Sequence, residues 1–592
     1  MAEHEGAFEE NIHNREYRKK YTAKKIDASF TLYDHFRKSE KLDGIWNHHA
    51  DVYDTCLRQE WFTEPRKDEE GWTLPWDWDF NEWDTIKVPS TWNTQQEQYK
   101  LYEGSMLYTR TFRYEKEDSE KVVLKVGAAY HNSMVFLNGS FLGYHEGGDT
   151  PFYLDVTDYL LEDNRIVISV NNTRTPGRIP TIFTDWYNYG GLYRSVELFR
   201  LPSAYISNFK IALVPGSNYS RVKAEITVEG EGIESAGLEI TELGISETLK
   251  LSGGKGSIEV DCSPELWSPE NPKLYDVTVS AGGDTIRERT GFREFKVVGS
   301  SVFLNGESIK LRGVSCHEES VPNGKSVTEA EIRENFALIK ELHGNFMRLA
   351  HYPHTEMAAR IADELGVLLW EEIPVYWAIH FENKETIDNG RQQLTELIKR
   401  DFNRPSVIIW SVGNENPDTE ERLTFMGGLA DLARELDDTR AISAACLWDQ
   451  AKMKIDDRLA DKLDIIGINE YFGWYNPHFD LLEEFFNNSH PDKPVIITEL
   501  GAGAKAGHHG GRNEMFTEEY QERTYEEQIR CIKAQPWIAG ISPWILYDFR
   551  TPVRCNKFQK GYNLKGLLSA DKSHRKLAFF VLKDFFGSWK VS

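Results

Sequence analysis

The sequence is poor in features that mark several common protein classes. Its 592 residues hold six cysteines, Cys56, Cys262, Cys316, Cys446, Cys531 and Cys555, and no two stand in a Cys-x-x-Cys spacing. That scatter offers neither a structural zinc site nor a disulfide framework, and no other spacing calls for a metal or an organic cofactor. Nowhere does the chain approach the roughly 18 uninterrupted apolar residues that a membrane span needs. The first 25 residues, MAEHEGAFEENIHNREYRKKYTAKK, have no apolar centre and do not read as a secretory signal, so a reducing cytoplasm is the expected compartment. Basic residues are in deficit, 69 against 94 acidic ones, for a formal charge of −25. A surface of that sign repels phosphate backbones and argues against nucleic acid as a partner.

What is present is an ordinary globular composition, 40% hydrophobic and 28% charged, with 12% aromatic residues. At about 150 residues per domain it predicts three or four domains. Residues 1–27 are charged and aperiodic and read as an extended arm, either a frayed tail or a strap onto a neighbouring subunit of a homo-oligomer. Residues 28–201 alternate short apolar stretches with turn residues, as in VVLKVGAA (122–129), SMVFLNGSFLGYH (133–145) and IVISV (166–170). This pattern predicts a jelly-roll-like β-sandwich, with Asn138-Gly139 as a two-residue hairpin turn. Trp72, Trp76, Trp78 and Trp83 cluster within it, as packing surface or as a sugar platform. Residues 202–298 repeat the short-strand rhythm over a length suited to an immunoglobulin-like sandwich.

From 299 to 592 the character changes to apolar runs alternating with amphipathic stretches such as TEAEIRENFALIKELHG (328–344). Eight runs can be counted: 309–316, 345–352, 367–373, 407–414, 441–447, 464–471, 494–500 and 540–549. Eight parallel strands with intervening helices predict a (β/α)₈ TIM barrel, whose reactive groups sit at the C-terminal strand ends. Polar residues are dense at those ends: Cys316-His317-Glu318-Glu319, His351-Tyr352, Glu371-Glu372, Asn414-Glu415-Asn416, Asn469-Glu470-Tyr471, Thr498-Glu499, and Trp544 with Asp548. Carboxylates at the ends of buried strands are costly unless paired or put to use. Glu415 and Glu499, on the fourth and seventh strands, face each other across the mouth. Such a pair can flank a glycosidic bond, one protonating the leaving oxygen and the other attacking the anomeric carbon. On spacing alone Glu371 or Glu372 could take one of these roles.

At this point the chain resembles family 2 glycoside hydrolases, from about Leu42 to Phe586. VPSTWN (88–93), FLNGSFLGYHEGGDTPF (136–152), WYNYGGLYR (186–194), RLAHYPH (348–354), WSVGNEN (410–416) and VIITELG (495–501) carry the resemblance. It implies a sugar-binding-like role for the first sandwich, Glu415 as general acid/base and Glu499 as nucleophile. GYNLKG (561–566) contains an Asn563-x-Lys565 pattern which, in β-glucuronidases and their relatives, grips the sugar carboxylate. The resemblance further implies substrate contacts for Asp185, His317, Asn414, Asn469, Tyr471, Tyr475 and Trp544, with Asp185 toward the C4 hydroxyl and Tyr471 bonded to the nucleophile. The expected partner is a terminal β-hexuronide, small or oligosaccharide. A glucuronide is the first reading, a galacturonide or dual specificity the alternative; a neutral-sugar β-galactosidase or a non-catalytic carbohydrate-binding protein stands behind them. Three departures are visible. Gln559-Lys560 stand where many glucuronidases carry an Arg, Glu470 replaces an often basic residue, and 374–390 is too short for a long aglycone loop.

Overall fold

A computed structural model describes residues 21–117 and 120–590, and the statements below concern those residues. Residues 1–20 of the expected arm lie outside them. Its last residues attach to the first sandwich: the Tyr21 ring packs edge-on against Phe62 and Phe141, and the Ile26 N–H donates to Tyr144 O at 2.8 Å. Tyr144 lies on the strand Ser140–Glu146, at the edge of a six-stranded sheet, so this segment covers an otherwise open row of backbone groups.

That sheet faces a four-stranded one across a core that includes Trp46, Tyr108, Val135, Leu137, Ile166 and Ile168. The hairpin expected at Asn138-Gly139 is present. Both residues have positive φ (50° and 78°), as a two-residue turn matched to strand twist requires, and Leu137 pairs with Ser140. The four tryptophans do not form one platform. Trp78 and Trp83 pack beside Phe80, whereas Trp72 and Trp76 are exposed. The second sandwich, Tyr205 to Thr290, pairs a three-stranded with a four-stranded sheet, and alternate residues such as Tyr275, Val277 and Val279 point into its core.

The C-terminal part is a closed parallel barrel. Its strands are β1 (Leu311–Cys316), β2 (Phe346–Leu349), β3 (Leu368–Glu372), β4 (Val407–Asn414), β5 (Ala441–Cys446), β6 (Ile466–Asn469), β7 (Val495–Glu499) and β8 (Ile538–Ile541). Around it run α1 (Glu329–Glu341), α2 (Glu356–Leu365), α3 (Lys384–Asp401), α4 (Glu420–Leu436), α5 (Asp480–Asn488), α6 (Glu518–Lys533) and α7 (Leu577–Ser588), with only a 3₁₀ turn, Arg458–Lys462, between β5 and β6. Each of the eight apolar runs supplies one strand. The last needs correction, since β8 ends at Ile541 and not near residue 549. Pro543 has no N–H to continue the ladder, and the chain turns away. Trp544 and Asp548 therefore follow β8 instead of lying on it. Phe549–Arg550 then pairs with Tyr562–Asn563 in a short antiparallel ribbon, which presents Asn563 and Lys565 near the barrel mouth. At the opposite end a three-stranded sheet, residues 295–309, contributes Phe295, Val302 and Leu304 to a plug against Leu311, Phe346, Leu368 and Ile408 at the strand beginnings.

The second sandwich is tied to the barrel by a buried cation. Arg404 pairs with Glu288 of that sandwich at 2.6 Å and with Asp363 of α2 at 3.0 Å. Burial alone would raise the Glu288 carboxyl, but Arg404 and its neighbours outweigh it and hold it down to about 2. Because the folded value is depressed, the contribution of Glu288 to stability is complete above about 4.5, its ordinary value, and is lost as pH falls toward 2. Arg404→Met removes the counter-ion shared by Glu288 and Asp363, leaving Glu288 only the more distant Arg360 at 3.6 Å, and is expected to cost about 3–5 kcal/mol. Urea titration at neutral pH measures this, and a loss below about 1 kcal/mol would contradict the buried-pair account.

Candidate active site

At the centre of the mouth is a guanidinium. Arg348 of β2 is fully buried and reaches three other strands. Nε and Nη2 donate to the two oxygens of Glu372 (3.2 and 2.9 Å), Nη1 donates to Glu499 Oε1 (3.0 Å), and Nη2 also donates to Asn414 Oδ1 (2.8 Å). Burial opposes the charge on Arg348, but Glu372 and Glu499 more than restore it. Burial likewise opposes ionisation of Glu372, and Arg348 with His351 overcomes it, holding that carboxyl down to about 2. An isolated buried charge would be prohibitive; here each ion has its counter-ion within hydrogen-bonding reach.

Glu499 ends β7, and its second oxygen accepts from the Tyr471 hydroxyl at 2.6 Å. Glu415 follows β4. Its Oε1 accepts from Asn469 Nδ2 at 3.0 Å and its Oε2 from the Trp377 indole N–H at 2.8 Å. Burial first, and then the charge of Glu499, raises the Glu415 carboxyl above its ordinary range. Asn469 has a fixed orientation: Oδ1 accepts from the Thr498 hydroxyl at 2.7 Å, while Nδ2 also donates to Asn414 Oδ1 at 3.2 Å. Both contacts to Asn414 fall on its carbonyl. Its Nδ2 is buried with no partner among the described residues, so one strong donor is left over in the mouth.

The other end of the mouth is cationic. Lys565 is buried, and its ammonium donates to the Tyr475 hydroxyl at 2.9 Å. It lies 5.1, 5.7 and 4.7 Å from the ring centres of Tyr471, Trp474 and Tyr475, and no carboxylate pairs with it among the described residues. Asn563 Oδ1 accepts from the Lys565 backbone N–H at 3.1 Å, and its Nδ2 donates to Asp185 Oδ2 at 3.2 Å. Asp185 arrives from the first sandwich and also accepts from Thr551 at 2.9 Å and Arg554 Nε at 3.1 Å. Tyr471 connects the two ends, since its hydroxyl touches Glu499 and its ring faces Lys565.

Rings line the wall between. Trp544 stacks on His351 at 4.7 Å, and Trp186 meets Tyr376 edge-on at 4.8 Å. His317 packs against Phe549 and Trp544, and its Nδ1 is 3.2 Å from the Tyr352 hydroxyl. Burial, then the nearby His351, pushes its pKa well below the ordinary value, so the ring is neutral.

The expected residues fall into three neighbouring groups. Glu415, Glu499, Asn414, Asn469 and Tyr471 gather around the carboxylate pair; Lys565, Asn563, Tyr475 and Asp185 lie at the cationic end; His317 and Trp544 form the wall. Glu371 is not among them. Neighbouring strand residues point to opposite faces, so Glu372 enters the barrel while Glu371 turns outward to Asp401, which with burial raises its carboxyl far above the usual range. Asp548 pairs with Lys576 at 2.7 Å, beneath the mouth. Glu470 is buried without an ionic partner, and burial pushes it up to about 8.

Arg348, Trp186, Tyr376, Trp377 and Arg554 escaped the residue-level reading. An arginine inside the apolar run NFMRLAHY was the one available signal, because an unpaired charge there is untenable. Among the described residues one set of possible metal ligands converges, Asp34, His35 and Glu356. Lys125 and Arg360 already pair with its two carboxylates, and none of the three belongs to the mouth.

Comparison with known proteins gives the same outline. Residues 39–202 match the sugar binding domain of glycosyl hydrolases family 2, residues 207–293 a further region of that family, and residues 295–590 its TIM barrel domain. A beta-glucuronidase of Paenibacillus borealis is 30% identical over 587 residues, covering 89% of this chain and 94% of its own. The structure of a GH2 beta-galacturonidase from Eisenbergiella tayi bound to galacturonate superposes with a TM-score of 0.81 at 26% identity, covering 93% of this chain and 98% of that one. A Bifidobacterium dentium beta-glucuronidase complexed with coumarin-3-O-glucuronide gives 0.82 at 25% identity, covering 94% and 99%. With three adjoining family matches laid over two sandwiches and a barrel, the chain belongs to family 2 of the glycoside hydrolases and resembles β-glucuronidases within it.

Proposed function

We propose that the protein is an exo-acting, retaining hydrolase of terminal β-D-glucuronides. The observation that carries this reading is Lys565, a buried ammonium with aromatic neighbours and no carboxylate of its own, in the same mouth as two acidic side chains. A desolvated cation held in this way favours an anionic ligand, and a hexose with a neutral C6 would leave it unpaired.

Glu499 attacks the anomeric carbon, kept in place by Arg348 and the Tyr471 hydroxyl. Glu415 donates its proton to the departing oxygen, and its raised pKa suits it to that task. Water then enters the leaving-group side, loses a proton to Glu415 and releases the sugar from Glu499. The spare Asn414 N–H is available to the 2-hydroxyl, where hydrogen bonds strengthen as positive charge builds on the ring. Asn563 holds the backbone at Lys565, and Lys565 with Tyr475 orients the substrate carboxylate. His317 and Trp544 provide a neutral wall for the ring. Asp185, already bonded to Arg554 and Thr551, offers its remaining acceptor capacity on the C4 side.

A β-galacturonide is the second reading, favoured by the likeness to a galacturonidase bound to galacturonate. Rates on 4-nitrophenyl β-glucuronide and β-galacturonide decide between the two.

Lys565→Ala is expected to lower kcat/KM on 4-nitrophenyl β-glucuronide roughly 10- to 100-fold while sparing any trace cleavage of the β-galactoside. A wild-type preference for the galactoside, unchanged in the variant, rejects the hexuronide assignment. Glu499→Ala should abolish turnover, and a 2-fluoro-β-glucuronide with a good leaving group should label Glu499 in the wild type, as peptide mass spectrometry would show. Because Glu415 must be protonated, kcat/KM falls as pH rises through its raised pKa. Glu415→Ala should flatten that alkaline limb on an activated aryl glucuronide.

A further inference from the structure

Both residues at one contact in the mouth have unusual backbones. Trp377 and Glu415 have positive φ, 55° and 52°, a region that bulky residues adopt only when their surroundings compel it. The compulsion is visible. The Trp377 N–H donates to Asn414 O at 2.9 Å, and the Asn414 N–H donates to Val375 O at 2.9 Å. The Glu415 N–H donates to Ala445 O at 2.7 Å. Asn416, fully buried, clamps the same loop by donating from Nδ2 to Trp377 O at 2.7 Å and Val375 O at 3.2 Å. The outcome is a single side-chain bond, indole N–H to Glu415 Oε2, with the Trp377 ring stacked on Tyr376 at 4.5 Å.

We infer that Trp377 is a positioning residue for the general acid/base, fixing the Glu415 carboxyl with a donor that can neither accept nor release its proton. This rests on the assignment of Glu415 made above. An indole N–H is donor-only, unlike a hydroxyl or an imidazole, and Asn469 presents an amide N–H to the other oxygen. Each carboxyl oxygen therefore accepts one protein N–H, and neither of the two donor groups can take up the proton through that N–H. The two donors also favour the anion that forms when the proton leaves, which offsets part of the rise caused by burial and Glu499. The other groups acting on Glu415 are His351 after β2, Tyr376 beside Trp377, and Tyr471 after β6. The indole is only partly buried and Ala378 next to it is exposed, so this side of Glu415 opens to solvent, where a leaving group departs.

Trp377→Phe keeps an aromatic ring and removes the N–H. Loss of an anion-stabilising donor moves the alkaline limb of kcat/KM to higher pH, by roughly half a unit to one unit. On phenyl β-glucuronide, whose leaving group needs protonation, kcat/KM is expected to fall roughly 10-fold; on the 2,4-dinitrophenyl compound it falls less than about threefold. In a Glu415→Ala background the same substitution should cost almost nothing further, because its route to the chemistry is gone. Benzothienylalanine placed at 377 preserves the bicyclic shape without the N–H and should reproduce these results if the Phe variant folds poorly. Equal losses on both leaving groups with an unmoved limb, or a full further loss in Glu415→Ala, would overturn the inference. Should Glu415→Ala itself show no dependence on the leaving group, the acid/base assignment falls first. A normal Glu415→Ala with an inert Trp377→Phe sinks only the role of Trp377.

Discussion

The site is organised by one buried positive charge. Arg348 binds Glu372, Glu499 and Asn414 at once, so β2, β3, β4 and β7 share a single electrostatic centre. Coulomb attraction is strong where water is absent, but so is the penalty for any ion left over, and the cluster is stable only as a whole. Orientation follows from the same bonds. Glu499 has one oxygen held by Arg348 and the other by Tyr471, which leaves the carboxylate little freedom to rotate. Asn414 has its carbonyl occupied, which turns its amide donor loose for a ligand.

The charges of the mouth differ in how they are balanced. Glu499 has Arg348 and Asp185 has Arg554 as counter-ion, whereas Lys565 meets only rings and a hydroxyl among the described residues. Lys565 is thus a local positive charge on a chain whose overall charge is −25. The mouth is not built from the barrel alone. Asp185 comes from the first sandwich and binds Asn563, Thr551 and Arg554 of the segment after β8. The second sandwich supplies no mouth residue. It is anchored through Glu288 to Arg404, and through Arg293, whose guanidinium donates to Pro405 O and Val407 O at the base of β4.

Much of this was legible beforehand because barrel strands are buried on both faces and stand out as unbroken apolar runs. β4 was readable to the residue, Val407–Asn414, and the carboxylate following it came with it. The end of β8 is hidden in the sequence because Ile545, Leu546, Tyr547 and Phe549 have the same apolar character as a strand, and only Pro543 signals the break. Glu371 and Glu372 could not be told apart, since a run with no polar alternation hides which residues point inward.

Sequence alone was enough to set the succession of sandwich, sandwich and barrel, and to put Glu415 and Glu499 at the ends of the fourth and seventh strands, because hydrophobic period and turn chemistry are local properties; Lys565 was marked only by the family resemblance. The partners of those residues were decided only in three dimensions. Arg554 meets Asp185 across 369 residues and Arg348 meets Glu499 across 151, and no local pattern encodes such pairings. They arise when closure of the barrel and docking of the sandwich bring these buried charges within reach of their counter-ions, without which burial would be costly.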